Sequence, residues 1–207
     1  MRRCGLTESA NKHMVAMFVK NKALFPVDRI RVHMEQISTS SFDITKVLAG
    51  SIPTHCVVAF VQAAAAQGTN AALNALTFEY FGLTKLQITA AGKNYPHREL
   101  APSFSGTMLN NARVSREYFT ALQVAQKNWG IDGLLFSLAD FCGGYAVFCF
   151  DLTPDLSTGH WSPSYRGDIE IHGEFAAQPA APVSIIVIAT VPSVFEIADD
   201  RSISKDW

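Results

Sequence analysis

The chain has 207 residues, 48% of them hydrophobic and 17% charged, with a formal net charge of −1. That length supports one large core, or a core with an arm, and the charged fraction falls below the roughly 25% of ordinary soluble domains. A near-neutral balance with no basic run longer than Arg2-Arg3 excludes the electrostatic footprint of a nucleic-acid or anionic-membrane binder. We therefore expect neither nucleic acid nor membrane among its partners.

The first elements are helical. Thr7 suits an N-cap and Glu8 a first turn, while Ala10, Met14, Met17 and Phe18 recur at helical spacing, predicting a short amphipathic helix before Pro26. This segment, 1–27, reads as an arm ahead of a domain over 28–207. From Asp28 the period changes to two. In 29–36, Ile30, Val32 and Met34 alternate with Arg29, Arg31, His33 and Glu35, predicting a strand with one wet face. Residues 55–62 are apolar on both faces; 68–73 is a turn, and 76–80 is a further strand candidate. In 85–90, Leu86 and Ile88 alternate with Lys85, Gln87 and Thr89, and 95–102 carries a weaker strand pattern.

The following stretch, 103–143, is a long excursion with a helix over 115–126, where Ser115 caps and Tyr118, Phe119, Leu122 and Ala125 share a side. Strands resume at 144–151, apolar on both faces. In 167–175, Ile169, Ile171 and Phe175 alternate with Asp168, Glu170, His172 and Glu174; a loop over 176–182 leads to an apolar strand over 183–197. Eight strands with Gly, Pro and Asn turns, and no helices regular enough for βαβ crossovers, predict an all-β fold. The expected form is an eight-stranded antiparallel jelly-roll sandwich with a short N-terminal helix and a helical excursion before the sixth strand. Strands apolar on two faces need their outer side covered. A neighbouring domain or subunit is expected to do so, with Val147, Cys149, Ile186 and Ile188 on the buried or interface faces.

Chemistry is hard to place on this frame. Asp151 and Asp155 flank Pro154, but an aspartate ending a strand or sitting in a proline turn commonly bonds its own backbone. The six histidines, His13, His33, His55, His97, His160 and His172, lack zinc-ligand spacing; His33 and His172 read as members of surface pairs with nearby glutamates. Cys4, Cys56, Cys142 and Cys149 have no CxxC spacing and read as reduced, structural thiols. No activated-serine, phosphate-loop or dinucleotide motif is present. No enzyme, cofactor or metal is expected. The tripeptide Arg166, Gly167, Asp168 matches an adhesion motif, although Asp168 already belongs to a strand.

The stretches FDLTPDL (150–156), GDIEIHGEF (167–175) and VFEIADDRSISKDW (194–207), in that order, resemble the C-terminal half of the hexon-type major capsid proteins of adintoviruses and Maverick/Polinton elements. FPVDRIRVHMEQISTSSFDI (25–44) and LAGSIPTHCVVAFV (48–61) extend the resemblance more faintly. It implies a jelly roll that is the second of two fused in one polypeptide and that trimerises into capsomers. The first roll has no counterpart here, so the resemblance implies a fragment, a split subunit or a domesticated copy. The expected partners are other capsid subunits, as a homo-oligomer such as a trimer or with a sister jelly roll. The expected place is the virion capsid, after synthesis in the host cytoplasm or nucleus. Two rivals are a domesticated jelly-roll module that recognises a host protein or glycan through its loops, and a cupin-like enzyme with a histidine metal set.

Overall fold

The computed structural model describes residues 7–104, 114–129, 136–153, 166–198 and 202–205. The chain divides into two compact units, Met1–Arg29 with Pro192–Trp207, and Ile30–Val191. In the smaller unit, helix α1 (Glu8–Lys20) is capped by Thr7, whose side chain accepts from the Ala10 N–H. A short strand, β9 (Ile203–Lys205), pairs antiparallel with the end of β8 (Val183–Ile197). Glu196 there takes an ion pair from Lys22 at 2.6 Å and a hydrogen bond from Ser204 at 3.0 Å, which hold its carboxyl below the usual range.

The larger unit is a sandwich of two antiparallel sheets. One sheet runs in the order β1 (Ala23–Ile37), β8, β3 (His55–Gln62) and β6 (Val147–Asp151). The other runs β2 (Ser41–Ser51), β7 (Arg166–Phe175), β4 (Leu83–Ala90) and β5 (Lys93–Leu100). The first strand lies beside the eighth, the second beside the seventh, the third beside the sixth and the fourth beside the fifth. That pairing is the jelly roll expected from the sequence. Between the sheets, inward rows from both interdigitate, with Phe42, Phe60, Phe148 and Phe175 at the centre in mostly edge-to-face contacts.

The excursion between β5 and β6 carries α3 (Ser115–Trp129) and α4 (Leu138–Cys142). A short helix, α2 (Ala63–Ala66), follows β3 directly. Ser137 and Asp140 form a reciprocal capping box on α4, which lowers the Asp140 carboxyl and seats Phe141 in the core.

Two strand expectations need correction. Strand β2 had no counterpart in the sequence reading, because its period breaks. Phe42 and Ile44 point inward, the register shifts between Ile44 and Leu48 with Lys46 at φ 58°, and Val47 and Leu48 are then both buried. Residues 76–80 form no strand and contribute a single bridge, Phe78 to Tyr145. The Asn74 side chain caps the turn there by accepting from Leu76 N–H.

Candidate assembly surface

Successive residues of a strand face opposite sides, so the row that reaches the core fixes the row that faces away. Ile37 of β1, Val187 and Ala189 of β8, Val58 and Phe60 of β3, and Phe148 of β6 all belong to the core. The outer face of this sheet is therefore built from Ile30, Val32 and Met34, Ile186 and Ile188, Val57, and Val147 and Cys149. Cys149, Val57 and Ile188 stand in line across three neighbouring strands.

Helix α3 roofs one side of this face. Its Ala121 and Val124 close over Cys149, with Val57 and Val147 packed against them. Part of the covering expected of another subunit is thus supplied by the chain's own excursion. Toward β8 and β1 the roof ends: Ile188 is 40% exposed, Ile30 67%, Val32 63% and Met34 52%. Of the four residues marked in the sequence, Cys149 is buried, Val147 and Ile186 are half-buried and Ile188 is open. The wet and dry rows of β1 are also the reverse of the expectation. Its charged row faces the margin of the sandwich, where Arg31 donates to the Ala49 carbonyl of β2 at 3.1 Å and His33 meets Glu35 at 3.4 Å. The signal for this was Ile37, which belongs to the core and shares its side of the strand with Arg31 and His33, whereas Ile30, Val32 and Met34 lie on the other side.

The other sheet has an ionic outer face. On β7, His172 contacts Asp43 across the strand boundary at 2.7 Å and Glu170 at 3.7 Å, and Lys85 on β4 pairs with Glu174 at 2.9 Å. The Glu174 bond raises the Lys85 ammonium above its ordinary value. Surface pairs of this kind contribute little stability, but they keep the face wetted. His172 therefore sits in a cross-strand surface pair, with Asp43 as the partner the sequence did not reveal. Arg166, Gly167 and Asp168 open β7 opposite Ser51, Gly50 and Ala49, and Ala91 N–H donates to the Asp168 carbonyl at 3.1 Å. Arg166 and Asp168 are exposed.

Asp151 ends β6 opposite His55, and its carboxylate accepts from the Thr153 N–H and hydroxyl, the turn chemistry anticipated for it. His55 lies 3.8 Å from that carboxylate and bonds Thr54 at 3.0 Å. Asp151 also borders a cavity of about 200 Å³ between α3, β5 and β6, with Tyr95, Arg116 and Cys149 on its wall. The Arg116 guanidinium is already held by the Arg98 and Glu99 carbonyls at 2.9 and 3.3 Å. Asp155 and His160 lie outside the described residues. Burial pushes the Cys149 thiol up to about 12, and burial beside Cys149 raises Cys56 as well, so neither supplies a nucleophile at neutral pH. Among the described residues no three His, Cys, Asp or Glu side chains converge as a metal set would, and no helix is long and apolar enough to cross a membrane.

The architecture is similar to that of VP54 of the virus PBCV-1, solved as a crystal structure and fitted into a reconstruction of the virophage Sputnik. That likeness has a TM-score of 0.51 at 12% identity and covers 98% of this chain and 55% of that one. A chain of the PBCV-1 capsid itself matches with a TM-score of 0.50 at 12% identity, over 90% of this chain and 52% of its own. The fold is a jelly roll like that of those capsid chains. This chain spans about half the length of the capsid chains it matches. No protein-family model matches the sequence, and no curated protein does.

Proposed function

We propose that the chain is a structural subunit of a viral capsid, of the hexon type found in adintoviruses and Maverick/Polinton elements, with an arm over 1–27 and a jelly roll over 28–207. Its work is to join other copies, or a sister jelly roll, into a shell in the virion. No residue is asked to do covalent chemistry, and the reading involves no cofactor, nucleic acid or membrane. One observation carries it: the outer face of the β1–β8 side keeps Ile30, Val32, Met34 and Ile188 in water, where a partner would bury them. The capsid fold and the sequence resemblance support the same reading.

Native mass by light scattering, with negative-stain electron microscopy of the purified chain, tests it. Oligomers or closed particles are expected. A monodisperse monomer that stays single at high protein concentration would overturn it.

A further inference from the structure

The open strip over β8 and β1 has the dimensions of a helix seat. Neighbouring strands lie about 4.8 Å apart and a helix with its side chains is about 10–12 Å wide, so one helix covers two strands. Helix α3 takes β6 and β3, where Ala121 and Val124 close over Cys149 with Val57 packed against them. The width that remains is that of β8 and β1, room for one helix more. Along the strand, Ile30, Val32 and Met34 extend over about 13 Å, the length of roughly 9 helical residues.

The chain carries a helix of that size whose apolar side faces water. In α1, Ala10, Met14 and Met17 recur at i, i+4 and i+7 with Val15 beside them, a stripe about 10 Å long. Met14, Val15 and Met17 are 41%, 56% and 58% exposed, and from Glu8 to Met17 only Ala10 is even half-buried. On the opposite side Glu8 and Lys12 pair at 2.8 Å, which keeps that side wetted. A helix of 13 residues alone in water is marginal, so α1 gains from a surface to lie on. The strip of its own copy is out of its reach. Only Asn21 and Lys22 separate α1 from β1. Folded back along its own strand, α1 would end about 20 Å beyond Ala23, with Met14 at about half that distance, whereas Ile30 and Met34 lie about 23 and 36 Å along the strand.

Resting on the assembly reading above, we propose that α1 of one copy lies on the β8 and β1 strip of the next, beside that copy's α3. Helix stripe and sheet strip are different patches, so the contact is heterologous: each copy gives one helix and receives one. Such contacts form a ring when the rotation closes, and three copies, the number the sequence resemblance implies, make a ring in which every strip is covered.

Met14→Cys and Val32→Cys, each at an exposed site, test the contact. Chains bearing one change each, expressed together and mildly oxidised, should form a mixed disulfide mapped by mass spectrometry to positions 14 and 32 of different chains. Chains bearing both changes should give covalent oligomers on a non-reducing gel. A link between 14 and 32 inside one chain overturns the exchange. Met14→Glu with Met17→Glu should keep the near-ultraviolet circular dichroism of the fold while lowering the native mass about threefold, to a single chain, and Met14→Leu with Met17→Leu should leave the mass unchanged. An oligomer that ignores the two glutamates and forms no such link overturns the α1 contact and leaves the assembly reading standing. An unmodified chain that is monomeric overturns both.

Discussion

Two residues show what the sequence hid. Gly173 stands opposite Phe42 in the β2–β7 register, and the Phe42 ring lies where a Cβ would be, so the aromatic fills the space that the glycine vacates. Gly173→Ala should therefore lower stability by about 1–3 kcal/mol through overpacking, read as a shifted urea midpoint with an unchanged slope. In the sequence Gly173 only interrupts an alternating run, because the ring that needs it lies 131 positions earlier on a strand whose period is broken. Glu117 is the second. In the first turn of α3 it reads as a solvated residue favoured by the helix dipole, yet it is 3% exposed and its Oε2 has no hydrogen-bond partner among the described residues. Burial raises its carboxyl above the ordinary value. The folded state thus favours the protonated form, so the penalty is absent at low pH and grows as pH rises from the unfolded value through the raised native one. Glu117→Gln should raise stability at neutral pH by about 1 kcal/mol and flatten that part of the pH profile, measured by thermal denaturation across pH.

At the level of elements, the strands with an uninterrupted period were legible and those with a break were not. Strand β7 shows Ile169, Ile171 and Phe175 inward as its alternation implied, whereas the bulge in β2 moved Val47 and Leu48 out of phase. The helix over α3 was legible from its own spacing. Its seat on Cys149 was not, because nothing local says which of two apolar faces a distant helix will cover. On β1 the alternation was legible but its direction was not, because the charged row lies at the margin of the sandwich, where Arg31 finds the Ala49 carbonyl of a different strand. Helix α3 and the open strip beside it make separate expectations for similar residues. Replacing Ile188 by Lys should lower stability by about 1 kcal/mol, since the side chain is only partly buried, and it should weaken self-association seen by sedimentation. Strong destabilisation with unchanged association would mean that Ile188 serves the fold rather than a partner.

For the whole molecule, the composition signal was the charged fraction of 17%, below the usual quarter, which agrees with the exposed Ile30, Val32 and Met34 of the open β1–β8 strip. If burial of that strip drives association, sulfate should strengthen it and cooling should weaken it, because apolar hydration has that dependence. Light scattering across temperature and salt measures both; association that instead fades steadily with added sodium chloride would point to charge pairing as the driving term. The contrast between the sandwich's outer faces has a consequence for growth. A tile with adhesive on one surface and an ionic, water-holding glaze on the other cannot stack without limit. In the proposed shell, joining would stop once the adhesive was used up and only glaze faced water, leaving a particle of finite size that stays dispersed.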